Sequence, residues 1–544
     1  MTPWKAVLAT AVLAAGCAHA AEQRPLVAAP AGAVQGVIDA GAAAFKGLPY
    51  AAPPVGAGRW RAPAPAVRWD GVRDASQFGP ACIQPTPGPP SVYSGEAIST
   101  GEDCLTLNIW TPSTTGKAPV IVWIHGGSLT SGSGGSALQN GARYAQAGTV
   151  LVTINYRLGV LGYMAHPELS KETPEGISGN YGLLDQIAAL KWVRANIAAF
   201  GGDPANVTIA GESAGALSVM YLMASPLAKG LFAKAIAQSA YMISTPELKT
   251  ARHGAPSSEA AGQYVAGVAK AASLEALRAM DPQVLTDKAA KAGYLPFAAV
   301  DGVVLTRQLV DTFDLGEQAR VPILAGFNSG EIRSLRFLAP PAPESAAQYE
   351  RTIRERYGDL ANAFLKLYPA TNLEESVLAA TRDALYGWTS ERLARSQTRL
   401  GQASFLYLFD HGYPAMDQAR LHAFHASEIP YMFGTLDRTP PLWPKAPDTA
   451  SEKAMSDAMV GYWASFARTG QPRAAGAATW KPHAPGGPYM AFRDKPVADT
   501  NLMPGMFVLH ERAVCRRKAA GDQPWNWNVG LVSPVLAGST AACP

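Results

Sequence analysis

Seven short apolar runs constrain this chain more than any other feature. Residues 105–110, 120–124, 150–155, 207–210, 235–238, 322–326 and 405–409 are rich in Val, Ile and aromatics. Several are unbroken rather than alternating, the pattern of strands buried on both faces. Between them lie stretches with helical spacing, notably 183–197, 214–223, 384–400 and 454–467. Strand and helix in alternation predict the α/β class, with a large, mostly parallel central sheet flanked by helices. Residues of about 245–320 and 332–402 interrupt the rhythm with Ala, Leu and charged residues, and read as helical insertions from one sheet. With 48% apolar and 16% charged residues the chain has the means for a large core and too few charges for disorder. One domain over 21–544 is expected.

The first twenty residues carry Lys5, an apolar stretch over 6–15 and the small-residue triplet Ala18-His19-Ala20. This is the pattern of a secretory signal cut after Ala20, and it predicts a secreted or periplasmic protein. The stretch is far short of the ~20 residues a bilayer span needs, and no later segment approaches that length without charge. Cys17 ends a loose lipoprotein-like box, LAAGC, which makes a lipid anchor the lesser alternative. Beyond the signal stand Cys82, Cys104, Cys515 and Cys543, an even number in a chain bound for an oxidising compartment. Proximity favours pairing Cys82 with Cys104 and Cys515 with Cys543, out of three connectivities. No C-x-x-C or nearby His completes a zinc set, so no metal is expected.

Lys and Arg total 46 against 42 Asp and Glu, a net charge of +4, and no run of five or six like charges occurs. Nucleic acid is thereby excluded as a partner class. The densest basic cluster, Arg512 with residues 516–518, reads as a solvated patch.

Gly211-Glu212-Ser213-Ala214-Gly215 follows directly on the run 207–210 and opens a helical stretch. G-x-S-x-G in that setting is a nucleophile elbow: the turn is sharp enough to strain the Ser backbone, and flanking glycines remove side chains that would collide. It presents the Ser213 hydroxyl at the carboxyl edge of the sheet, beside a helix N-terminus that favours developing negative charge. The turn His125-Gly126-Gly127-Ser128, after the run 120–124, supplies unencumbered backbone N–H groups for an oxyanion hole. Gly127, Ser128 and Ala214 are the expected donors, with Gly126 giving the loop its freedom. The continuation Ser131-Gly132-Ser133-Gly134-Gly135 lacks the G-K-[ST] ending of a phosphate cradle and reads as a flexible loop.

A Ser hydroxyl needs an imidazole to take its proton, and the imidazole needs a carboxylate to fix its tautomer. On this fold the order is Ser, acid, His. Glu331, past the run 322–326 on a turn marked by Asn328-Ser329-Gly330, is the best-placed acid; Asp301, Asp311 and Asp314 precede that run. Of the downstream His253, His411, His422, His425, His483 and His510, both His422 and His425 lie where a late base belongs, beyond the run 405–409. Order and position leave these two unresolved.

These segments, joined by others, resemble the type-B carboxylesterase/lipase family, which also contains the cholinesterases. The matches are residues 45–54 (FKGLPYAAPP), 102–108 (EDCLTLN), 122–127 (VWIHGG), 155–159 (NYRLG), 179–186 (GNYGLLDQ), 200–216 (FGGDPANVTIAGESAGA), 326–331 (GFNSGE) and 425–434 (HASEIPYMFG), in the family's order. The resemblance implies the α/β-hydrolase fold, with Ser213 as nucleophile, Glu331 as acid and His425, in H-x-x-E-[IL], as base. It also implies the disulfide Cys82–Cys104, ion pairs Arg59–Glu102 and Arg157–Asp185, and Glu212 as a second acid tuning the field around His425. Three positions depart from the pattern. Ser128 stands where Gly or Ala is usual, and Ala240 where Gly usually follows the Gln238-Ser239 pair. Cholinesterases carry a Trp in the loop that corresponds to the one between Cys82 and Cys104, where this chain has only Tyr93 as an aromatic, which argues against choline esters.

The expected activity is hydrolysis of a small-molecule carboxylic ester through an acyl-enzyme, with no cofactor. Thioester, amide or lactone hydrolysis on the same triad is the nearest rival. A non-catalytic binding module on the same fold is the rival from another class.

Overall fold

The computed structural model describes residues 24–95, 98–484, 486–521, 523–525 and 529–544. The expected signal segment 1–20, with Cys17, lies outside the described residues. The core is an eleven-stranded sheet. Its strands are β1 (Val37–Asp39), β2 (Ala42–Pro49), β3 (Thr106–Thr111), β4 (Ala118–Ile124), β5 (Val150–Ile154), β6 (Gly202–Glu212), β7 (Lys234–Gln238), β8 (Ile323–Asn328), β9 (Ser404–Phe409), β10 (Pro488–Phe492) and β11 (Pro496–Thr500). Across the sheet they run β11-β10-β9-β8-β7-β6-β4-β5-β3-β2-β1. From β5 through β10 every neighbouring pair is parallel. The edges β3, β2, β1 and β11 are antiparallel. The seven apolar runs are the strands β3 to β9, within a few residues at each end. The remaining four, β1, β2, β10 and β11, had no such signal; β1, β2 and β11 carry several residues that are only partly buried, and a strand of that kind needs no unbroken apolar run.

Parallel strands bury both faces, and alternate residues here go to opposite cores. On β4, Val120, Val122 and Ile124 pack into one cluster, with helices α1 (Tyr181–Asn196) and α2 (Ala214–Ala224). Ile121 and Trp123 face the other, covered by helix α5 (Ala450–Thr469). The insertions carry α3 (Pro282–Lys291) and α4 (Trp388–Arg399). Ahead of α4 the backbone widens into a π turn, Asp383–Gly387.

Both disulfides form as proximity suggested, Cys82 with Cys104 and Cys515 with Cys543. Arg59 pairs bidentately with Glu102 at 2.7 and 2.8 Å, and Arg157 with fully buried Asp185 at 2.8 and 2.7 Å. The basic cluster corrects the sequence reading: it is not a solvated patch. Arg516 and Arg517 are buried. Arg516 grips Asp359 with both nitrogens, Arg517 donates to the Trp525 carbonyl and to Ser533 Oγ, and Lys518 reaches Asp311 and Asp314. The acidic partners lie 157 residues away for Arg516–Asp359 and 204 for Lys518–Asp314, and cannot be read from local charge density.

Chain order turns round at β4, since β5 adds on one side and β6 on the other. Ligands of open α/β sheets bind at such a switch point, beyond the carboxyl ends of the strands. The loops that follow β4, β6, β8 and β9 all leave from that edge.

Candidate active site

β6 ends at Glu212 and α2 begins at Ala214, so Ser213 alone makes the turn. It sits at φ 57°, ψ −121°, a region L-residues rarely occupy. Its N–H donates to the Gln238 carbonyl on β7 at 2.9 Å, which holds the strain in place. The glycines do what the motif requires. A Cβ on Gly211 would lie 2.4 Å from the Gly215 carbonyl carbon, and one on Gly215 would lie 2.0 Å from the Ile124 oxygen. Strand end, helix start and β4 therefore touch backbone to backbone.

The loop after β4 runs alongside. A Cβ on Gly126 would meet Ser213 Cβ at 3.2 Å and the Glu212 oxygens at 2.9 Å, so this turn lies against the nucleophile candidate. Gly127, Ser128 and Leu129 all have positive φ, 96°, 57° and 57°. The Gly127 carbonyl accepts from the N–H groups of Thr130 and Ser131. The N–H groups of Gly127 and Ser128 find no acceptor among the described residues. That of Ala214, first in α2, lies ahead of the helix's own ladder.

The glycine-rich continuation corrects another expectation, because this loop is fastened rather than flexible. Gln84 exchanges two hydrogen bonds with the Gly132 backbone, at 3.1 and 3.2 Å. The Gly134 N–H donates to Asn155 Oδ1 at 2.8 Å, and its carbonyl accepts from Thr153 Oγ1 at 2.6 Å. The glycines serve close approach: a Cβ at Gly132 would lie 2.3 Å from the His125 ring.

Glu331 opens the turn after β8 and is fully buried. One oxygen accepts from the Asn328 N–H at 2.9 Å, and the other bonds Nδ1 of His425 in a short contact. The acid and base candidates thus meet from loops 94 residues apart. The alternative base, His422, points elsewhere, to Asp410 at 3.1 Å on a partly exposed surface. His411 pairs with Glu452, His510 with Tyr368, His253 packs on Trp525 and His483 approaches Thr398.

The second ring nitrogen of His425, Nε2, lies 3.1 Å from Glu212 Oε1, though not aligned as a hydrogen bond. In this conformation Ser213 Oγ itself makes no hydrogen bond among the described residues. Burial disfavours an imidazolium, but the Glu212 and Glu331 carboxylates outweigh it and raise His425 from 6.5 to about 9. Burial raises Glu212 from 4.5 to about 8, against the pull of His425. The two groups compete for one proton between Nε2 and Oε1.

Beneath the imidazole runs a buried network that sequence reading did not anticipate. Glu428 accepts from Asn328 Nδ2 at 2.6 Å and from Gln238 Nε2 at 2.9 Å, and Gln238 in turn accepts from Trp463 Nε1 at 2.9 Å. Burial, with Glu331 nearby, raises the Glu428 carboxyl. Glu428 was in view as the last residue of H-x-x-E, but nothing local tied it to β7 and β8. The Tyr386 ring lies 5.4 Å from that of His425, carried there by the π turn. Tyr93 reaches the same loop, donating to the His425 carbonyl at 2.9 Å.

A strained serine at a strand–helix turn, a glycine loop against it and a buried His–Glu pair, all at one sheet edge, define an α/β hydrolase. The chain belongs to the Carboxylesterase family, whose sequence model matches residues 23–505, and it is a carboxylic-ester hydrolase. Its curated relatives include the fumonisin B1 esterase of Sphingopyxis macrogoltabida, 39% identical over 461 residues that make up 81% of each chain. The para-nitrobenzyl esterase of Bacillus subtilis is 36% identical, over 81% of this chain and 89% of that one. Among solved structures, a PNB esterase superposes with a TM-score of 0.77 at 32% identity, covering 89% of this chain and 99% of its own. The Geobacillus stearothermophilus carboxylesterase EST55 gives 0.77 at 31% identity, with 89% and 100% covered.

Proposed function

We propose that ester hydrolysis runs through Ser213, His425 and Glu331 and a covalent acyl-enzyme. Ser213 Oγ attacks the ester carbonyl carbon while Nε2 of His425 takes its proton. Glu331, on Nδ1, fixes the tautomer and steadies the imidazolium. The N–H groups of Gly127, Ser128 and Ala214 receive the oxyanion, and Gly126 lets that loop pass close to the nucleophile. The imidazolium then gives its proton to the departing alcohol, and water repeats the sequence to release the acid. Glu212 sets how readily His425 holds a proton. The hydrogen bond between Nε2 and Oγ, not made in this structure, forms on binding substrate.

The observation that carries this reading is the buried bond from His425 Nδ1 to Glu331, made at the strand edge where the strained Ser213 stands. Ser213→Ala is expected to abolish turnover of p-nitrophenyl esters and labelling by a fluorophosphonate. Unchanged turnover in that variant would overturn the mechanism, and faster cleavage of matched anilides than of esters would reassign the reaction to amides.

The substrate is a small-molecule ester. Among the described residues no helix is long and apolar enough to cross a membrane. Two disulfides suit an oxidising compartment. With the leader pattern of residues 1–20 they support export to the periplasm or beyond as one domain.

A further inference from the structure

We propose that Tyr93, on the Cys82–Cys104 loop, is a positioning residue for His425, acting through the His425 backbone. The proposal rests on the reading of His425 as the proton acceptor. His425 belongs to no regular element: it lies between β9 and the short helix Ile429–Phe433, near the positive-φ residues His422 at 46° and Ala426 at 68°. A segment bent in this way has no ladder of its own, so its place is decided by where its carbonyls bond. Three consecutive carbonyls are tied. That of Ala423 accepts from the Gly330 N–H at 2.8 Å, that of Phe424 from Asn328 Nδ2 at 2.8 Å, and that of His425 from the Tyr93 hydroxyl at 2.9 Å. The first two donors sit at the end of β8 and in the turn that carries Glu331, and lock base to acid. The third arrives from the disulfide loop.

The direction of these bonds is settled by chemistry. A carbonyl can only accept, so the Tyr93 proton is committed to His425. The 2.6 Å contact between Tyr93 and Ser334 Oγ must then have Ser334 as donor. Ser334 follows Glu331 by three residues, so the chain Ser334 to Tyr93 to His425 closes a ring around the acid and the base, each bond polarising the next. Tyr93 is itself held, by the rings of Phe424 and Trp443 at 6.2 and 6.1 Å. The base of its loop is pinned by the disulfide, by Gln84 on the Gly132 turn and by Thr86 on Asp287 of α3. One strap thus joins the oxyanion loop, an insertion helix and the histidine loop.

Losing the hydroxyl leaves the imidazole on Glu331 but frees its backbone on one side, which degrades the line from Nε2 to Oγ. Substrate contacts are untouched, so turnover suffers and affinity does not. In Tyr93→Phe the ring packing is kept. For a short p-nitrophenyl ester, kcat is expected to fall about tenfold, the worth of one hydrogen bond, with KM within about twofold of wild type. The fluorophosphonate labelling rate falls with kcat, and Tm stays close to wild type. Ser334→Ala should lower kcat less, since Tyr93 keeps its bond to His425. A raised KM at unchanged kcat in Tyr93→Phe would make Tyr93 a pocket wall only and overturn the proposal, as would full activity. Should that variant fold poorly, Ser334→Ala decides alone, and an unchanged kcat there overturns it. A wild-type protein that neither hydrolyses esters nor reacts with fluorophosphonate would instead sink the mechanism itself.

Discussion

Glu212→Gln tests the electrostatics of the site most directly, because it removes a charge and keeps a shape. Glu212 Oε1 stands 3.1 Å from Nε2 of His425. At that separation a unit charge is worth about 1.3 kcal/mol at the dielectric constant of water and about 5 kcal/mol at an effective value of 20. Divided by 1.36 kcal/mol per unit, this is a shift of roughly one to four pH units. Glu212, itself raised to about 8, takes up its proton over part of the range in which His425 titrates, so the shift falls short of the upper end. The sign follows from the charges. The carboxylate favours the imidazolium, so its removal lowers the pKa of His425 from about 9 and leaves the base neutral, and able to take the Ser213 proton, at lower pH. The assay is the pH dependence of kcat/KM for a p-nitrophenyl ester, wild type against variant. The acid limb is expected to move down by about one unit or more, whatever happens to the plateau. A limb that stays in place, or moves up, would refute the account of how His425 is held.

Two further outcomes follow from the structure. Gly127→Ala places a Cβ 2.1 Å from the Ser131 carbonyl oxygen at a backbone φ of 96°. The loop must shift, and kcat should fall by roughly 10²- to 10³-fold, the typical loss of an oxyanion donor, with native circular dichroism; full activity would remove Gly127 from that role. Burial lowers His510 from 6.5 to about 4, beside the Tyr368 hydroxyl at 2.9 Å. A depressed pKa gives stability that is present above about pH 6.5 and lost as pH falls towards 4, on the order of 3 kcal/mol. His510→Gln should therefore lose less Tm than wild type between those values, and parallel Tm curves would refute the assignment.

The site was legible in sequence to the extent that its chemistry is local. The elbow around Ser213 needs five residues and their neighbours, and its strain and close approaches are properties of that short stretch. The His125–Ser128 turn is local in the same sense. Order along the chain brought Glu331 forward but did not separate His422 from His425, since both lie in one loop; the family resemblance implied His425, and the fold turns that imidazole toward Glu331. Tyr93, Asn328, Gln238 and Trp463 gave no sign of their role. Each acts on an element far away in sequence, Trp463 on Gln238 across 225 residues and Tyr93 on His425 across 332. The misread basic cluster at residues 516–518 failed for the same reason, its anion Asp359 lying 157 residues from Arg516.

Periodicity and turn chemistry act over a few residues, and in this chain they determined the alternating layers, the parallel sheet core and the strained strand–helix turn at Ser213. Tertiary structure decided what depends on distance in space: which imidazole meets which carboxylate, how burial and neighbouring charge move their protons, and which loops fasten the histidine. Burial removes water as a competing partner, so pairings such as His425 with Glu331 and Glu428 with Asn328 become specific only once the loops at the carboxyl edge of the sheet have come together around them.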